Sequence, residues 1–468
     1  MRSDMAIHAE PQPVPPSSAF TVSLKKRLLS GGIWSLGGRV ATAVTSILVN
    51  GILARLLSPD EMGAYFLIFS VATVGATLGQ LGFAETSVRL VAEALGQNQP
   101  GRAAKAIRFV FLYGGLGSLA VALFWALGVG NWTAVALFDS PLMGQLSVLV
   151  AVWCFLFAMR NLLAETFRGF KDFHLAVLFG GAVHSILAAI LFVAVWIFWH
   201  EATLGQVLIL VIGSVAASNL MALALLGRKV AKLGAAGGAT SGAEPLQTGP
   251  LFNIALPLWL NQLTIFGLAR VNLWILGAYH PKDEVAIYGA ALTLATLVTM
   301  PLLVVGAVVP PFIAEMYARR ENERLENILR TITTLAGMPT LLVLIVFSLL
   351  GGPIMGFIYG DFYRQGALVL ALLSLGQTVN VWTGPCDPVL RMTDRQKTIM
   401  WISLLAGFFN VAGSLLVVEK YGITGVALVT ALALILQNLA ALLYTKKQVG
   451  IWTHVRLAWP PVKQLLRS

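Results

Sequence analysis

The chain has 468 residues, of which 57% are hydrophobic and only 11% charged, with a formal net charge of +11. A soluble domain carries about 25% charged residues, and apolar residues here run in blocks of twenty or more, so a soluble enzyme is excluded. Two cysteines, Cys154 and Cys386, both in or beside apolar blocks, do not make a disulfide framework.

The first 24 residues are polar and rich in proline (Pro11, Pro13, Pro15, Pro16), a composition expected to be disordered. Lys25, Lys26 and Arg27 then lead into an apolar run that continues to Leu53 without a small-residue cleavage site. That run is a retained first span rather than a signal peptide. Spans are expected at 30–54, 63–87, 108–129, 142–164, 175–199, 205–227, 251–278, 286–310, 331–350, 365–385, 398–418 and 422–445. Each is long enough to cross a hydrocarbon core of roughly 30 Å. The fold class is therefore all-α, a polytopic membrane protein of about twelve helices.

With the N-terminus inside, alternate loops hold 25 of the 32 basic residues, among them Arg89, Arg168, Arg228, Arg319, Arg391 and Lys446. The outer loops hold four: Arg55, Lys282, Arg364 and Lys420. This asymmetry places both termini in the cytoplasm. It also accounts for the positive charge without nucleic acid.

The sequence repeats itself. Val49-Asn50 returns as Val271-Asn272, Asp60-Glu61 as Asp283-Glu284, Tyr65 as Tyr288, Arg108 as Arg330 and Arg168 as Arg391, always at an offset of 222 or 223. Six spans per copy insert with the same topology, so the copies are related by a pseudo-two-fold axis along the membrane normal. The expected organisation is a disordered segment 1–24, a six-helix bundle 25–233, a flexible cytoplasmic linker 234–249, a second bundle 250–445 and a basic tail 446–468. The tail carries Trp452 and Trp459 and reads as an interfacial anchor. Two bundles facing across a central cavity imply alternating access.

The stretch Ala54-Arg55-Leu56-Leu57-Ser58-Pro59-Asp60-Glu61-Met62-Gly63-Ala64-Tyr65 resembles the loop after the first helix of bacterial oligosaccharide flippases. These form the polysaccharide-transporter branch of the multidrug/oligosaccharidyl-lipid/polysaccharide exporter superfamily. Leu81-Gly82-Phe83 with Arg89, Arg270-Val271-Asn272-Leu273-Trp274, Ala286-Ile287-Tyr288-Gly289, Tyr359-Gly360-Asp361 and Leu375-Gly376-Gln377 are similar to later parts of the same family, in order. The resemblance, over about residues 25–445, implies movement of undecaprenyl-pyrophosphate-linked oligosaccharide from the cytoplasmic to the periplasmic leaflet of a bacterial inner membrane, for O-antigen or exopolysaccharide assembly. It implies a polysaccharide polymerase and a chain-length regulator as partners. Many relatives carry an acid where this chain has Asn272, which bears on ion coupling there.

Charges inside spans are costly and are functional candidates by default. Arg39 lies twelve residues past Arg27, roughly 18 Å along a helix, and shares a polar stripe with Ser46 and Asn50. Asn261 and Asn272 make the matching stripe in the second half. This face is expected to hold pyrophosphate and sugar hydroxyls, with a guanidinium meeting phosphate oxygens bidentately. The alternative is a buried arginine satisfied by backbone carbonyls or by Glu85. Arg270 points opposite to Asn272 on an ideal helix, which leaves its place in the cavity open. Arg160 reads as a structural partner of Glu165. Glu85 reads as an i,i+4 ion pair with Arg89, or as a proton or sodium site.

No histidine spacing suits a metal, and no phosphate-cradling glycine loop is present, so neither a cofactor nor ATP hydrolysis is expected. A cation-coupled drug exporter of the same superfamily would favour an acidic cavity, whereas the deepest charges here are arginines. A glycosyltransferase, polymerase or ligase needs a larger outer segment or paired acids. A flippase for peptidoglycan lipid precursor differs mainly in cargo and by resemblance has more spans.

Overall fold

A computed structural model of the chain describes residues 42–236 and 248–456. The N-terminal segment 1–24 and Arg39 lie outside the described residues, as do most of the linker and the end of the tail.

Within the first half, α1 is Thr42–Leu56, α2 Pro59–Gln80, α3 Phe83–Gly96 and α4 Pro100–Ala136. They are followed by α5 Ser147–Gly169, α6 Phe173–Phe198 and α7 Leu204–Ala236. In the second half, α8 is Thr248–Tyr279, α9 Lys282–Ala295, α10 Met300–Ala318 and α11 Asn322–Tyr359. Then come α12 Ala367–Thr383, the short α13 Cys386–Met392 and α14 Gln396–Val449. No strand occurs among the described residues. Nine of the described helices are long and apolar enough to cross a membrane. The 54 residues of α14 would stretch to roughly 80 Å as one rod. They turn back at Gly422 (φ 51°, ψ −143°) and supply two spans.

The ends of these helices follow from local chemistry. Ser58 caps α2, its hydroxyl accepting from the Glu61 N–H while Glu61 accepts from the Ser58 N–H, and Pro59 fills the first turn. Leu81 and Gly82 both take positive φ, which ends α2 and lets α3 start in a new direction. Glu61 also accepts the Leu204 N–H that opens α7. Its repeat equivalent, Glu284, lies beside the turn at Gly422 from which the last span starts.

The largest core cluster includes residues of both halves, among them Leu53, Tyr65, Leu67 and Trp153 with Leu276, Tyr288, Phe347 and Tyr359. Outward faces are apolar too: Phe124, Leu342, Phe408 and Leu416 are all exposed. In water such a surface would be untenable, and in lipid it is the expected one.

Away from the basic loops, α2 packs closely on α9 and α8. A Cβ on Gly63 would fall 1.7 Å from the Lys282 carbonyl oxygen, so only glycine allows this backbone approach. Phe66 lies in the notch left by Gly289, its equivalent in the second repeat. Arg55 donates to the carbonyls of Phe357 and Ile358 at the end of α11. At the basic end the halves touch again, where Trp259 of α8 donates to the Leu78 carbonyl at 3.1 Å.

Residues 450–456, the described part of the basic tail, do not run on as helix. They fold back as a strap over α11 and α12, because backbone groups there find partners: Trp452 N–H to Glu326, Val455 N–H to the Trp382 carbonyl, Arg456 N–H to Thr334. Thr453, fully buried, donates to the Thr383 carbonyl and lies 3.0 Å from the Cys386 sulfur. Deleting 450–468 is expected to open Cys386 to a maleimide added to the purified protein, which leaves the parent's two buried cysteines unlabelled. Mass spectrometry of labelled peptides reads this directly.

Candidate functional site

Between the halves lies a cavity of about 360 Å³. From the first half, α1 contributes Ser46 and Asn50, α2 Tyr65, Phe66 and Phe69, α5 Trp153, Phe157 and Arg160, and α6 His184. From the second, α8 contributes Arg270 and α9 contributes Gly289 and Thr293. An aromatic wall runs along it. Tyr65 stacks on Trp153 with centroids 6.0 Å apart, and Phe69 meets both Trp153 and Phe157 edge to face or tilted.

The two arginines rest on this wall. The Arg160 guanidinium carbon is 3.8 Å from the centroid of Phe157, and that of Arg270 is 5.1 Å from Phe69. A ring face attracts a desolvated cation while leaving its hydrogen-bond edges free. Arg160 donates to the ring nitrogen Nε2 of His184 at 3.0 Å and to Asn161 at 3.4 Å. Since arginine cannot accept, His184 carries its proton on Nδ1.

Neither arginine forms an ion pair among the described residues. The carboxylates in the ion pairs found there are taken by other bases, such as Glu165 by Arg168 and Asp172 by Lys229. Four buried donors on cavity-lining residues have no partner: Arg160 Nε, Arg270 Nε, His184 Nδ1 and Trp153 Nε1. Each such donor costs about 1–3 kcal/mol when left unsatisfied. Among the described residues the cavity thus holds two positive charges without a carboxylate partner and four unmet donors, and it suits a multivalent anion.

Local sequence explains how α6 brings His184 there. Its helix passes through a π turn at Leu178–Ala182, containing Gly180 and Gly181, both of which line the cavity. Such a turn adds one residue per cycle and is frequent at functional sites.

Of the expected site residues, Ser46, Asn50 and Arg270 line the cavity. Asn50 donates to the Ser46 carbonyl at 2.8 Å. The Asn261 side chain lies outside what the structure describes. Asn272 does not reach the cavity. It is buried inside the second half in a neutral knot, exchanging hydrogen bonds with Asn410, accepting from Ser414 and donating to Thr430 at 2.7 Å. The reason is the one helical geometry states: two residues turn 200°, so Arg270 and Asn272 cannot share a face.

Two expected pairings are replaced. Arg160 does not pair with Glu165, because five residues place them on different faces, and Glu165 takes Arg168 three residues on at 2.9 Å. Glu85 does not pair with Arg89, which is exposed. It accepts instead from Gln262 of α8 at 2.9 Å. Arg160 was read from the sequence as structural and His184 was passed over, although an arginine and a histidine within spans are themselves the signal. Among the described residues, no group of three or more His, Cys, Asp or Glu could hold a metal ion.

Comparison with solved structures places the fold. The chain is similar to an inward-facing multidrug-resistance MATE family transporter of the MOP superfamily, at 15% identity over 87% of this chain and 94% of that one, with a TM-score of 0.68. It is similar to the lipid II flippase MurJ in an inward closed conformation, at 16% identity over 88% and 87%, with a TM-score of 0.65. A mutant of the Vibrio cholerae MATE transporter VcmN matches at 18% identity over 92% and 98%, with a TM-score of 0.63. At such identities the likeness is one of fold. A search of curated proteins finds no match. The MatE family profile matches residues 257–416. The profile described as polysaccharide biosynthesis protein matches residues 28–317, more than half of the chain, and this multi-pass membrane protein therefore belongs to the polysaccharide biosynthesis protein family.

Proposed function

We propose that the chain is a flippase that carries undecaprenyl-pyrophosphate-linked oligosaccharide from the cytoplasmic to the periplasmic leaflet, with its basic end in the cytoplasm. The observation that carries this reading is the pair Arg160 and Arg270, one from each half, facing a shared cavity without a carboxylate partner among the described residues. Pyrophosphate supplies the acceptors that these donors lack, and guanidinium groups meet phosphate oxygens with charge-assisted, paired bonds. The aromatic wall suits sugar faces, and Ser46, Asn50 and Thr293 suit hydroxyls. At about 360 Å³ the cavity is at the small end of ligand sites. It accommodates the pyrophosphate with the first sugar, and the halves must part to admit the remainder. Because the two arginines lie on opposite halves, the anion bridges them, and the loaded and empty transporters differ in how readily the halves move.

A drug exporter would carry organic cations, which this cavity repels. The test is transport in proteoliposomes, with the glycolipid in one leaflet and glycan exposure scored on the other. Flipping with no ethidium movement is the expected result. Ethidium movement without flipping would overturn the reading.

A further inference from the structure

A second cavity, of about 160 Å³, opens in the seam between the halves near the basic end, where α3 and α5 face α8. Its lining includes six side chains that carry oxygen: Thr77, Gln80, Glu85, Asn161, Glu165 and Gln262. Among the described residues, no basic side chain lines it. The two carboxylates come from different helices and make no hydrogen bond with each other. Glu85 is tied to Gln262 across the seam, and Glu165 is tied outward to the exposed Arg168. Two carboxylates against one guanidinium leave one negative charge uncompensated in a partly buried place, which is costly.

An independent observation points the same way. Gln80 is 5% exposed, lines this cavity, and its carboxamide nitrogen is sealed from solvent without a hydrogen-bond partner. A half-turn about its last torsion presents the carboxamide oxygen instead. The carboxamide is thus unspent beside the unspent charge.

We propose that this cavity binds one monovalent cation of the size of sodium, held by Glu85 and Glu165 with the oxygens of Gln80 and Thr77 and with water. Hard cations take oxygen ligands and keep part of their hydration, and the volume leaves room for a few waters. A single positive charge balances the site, whereas a divalent ion would leave it positive. Glu85, a ligand of the ion, also accepts from Gln262 of the second half, so occupation of the site bears on the seam between the halves, and an ion gradient across the membrane acts on its opening. The inference holds whatever the cargo is.

Thermal unfolding of the purified full chain tests it, with sodium exchanged for choline at constant ionic strength and no glycolipid present. Sodium is expected to raise the Tm, and the half-maximal sodium concentration is expected to rise at least about tenfold in Glu85→Gln and in Gln80→Leu, since a ligand stabilises by mass action. Asp361→Asn, at an exposed position far from this seam, keeps the parent's response. A parent Tm that does not distinguish sodium from choline overturns the proposal. So does a sodium response that survives in Glu85→Gln, or a Tm that follows only pH. Because no transport is scored, failure here leaves the cargo reading standing.

Discussion

Replacing Arg160 or Arg270 by methionine is expected to abolish flipping while leaving the protein as stable as the parent or more so. Each guanidinium is desolvated without a carboxylate partner among the described residues, and each keeps an unsatisfied buried donor. Removing a charge in that state relieves the fold. Truncating a buried, hydrogen-bonded charge partner costs a complex about 2–5 kcal/mol, so loss of one arginine should weaken pyrophosphate binding by roughly 30-fold or more. Two measurements check this on the same samples: glycan exposure in proteoliposomes and Tm in detergent. A fall in Tm of several degrees with flipping retained would make these arginines structural. A rise in Tm with flipping lost is the signature of a site held ready at the expense of stability.

The second large effect is expected at Gly63. Gly63→Val places a branched side chain where a single carbon already falls 1.7 Å from the Lys282 carbonyl oxygen. The side chain meets backbone, so no rotamer relieves the clash. The variant should fold, because the clash falls between the halves and not inside either one, but the end away from the basic loops should not close. Spin labels at the exposed positions Asp60 and Asp361, one on each half, should report a longer distance than in the parent. Flipping should fall by about tenfold or more, since a transporter that cannot close one end cannot complete its cycle. An unchanged distance would mean that the α2–α9 contact is not the closing surface.

Much of this architecture was legible in the sequence, because a membrane leaves few alternatives. Length, apolarity and the constant repeat offset led to two bundles, and Ser46, Asn50 and Arg270 were found from polar residues inside spans. What failed was angular and tertiary. Helical spacing says that Arg270 and Asn272 face apart, but it does not say which of them meets the cavity. The π turn before His184 adds a residue and rotates everything after it by about 100°, so a helical wheel drawn from Phe173 misplaces His184. Glu85 and Arg89 had suitable spacing, yet Gln262, 177 positions away, is the partner. Local pairing rules cannot anticipate a competitor from another helix.

The contact between Phe66 and Gly289 bears on how such a molecule arises. A residue that touches its own repeat equivalent stands on the pseudo-axis, where an ancestral duplication would bring two copies of one side chain face to face. Two phenylalanines there would collide, and two glycines would leave a void. Identical halves are therefore the one pairing this position does not tolerate well. Divergence between the copies begins, in physical terms, at the place where each is the other's nearest neighbour.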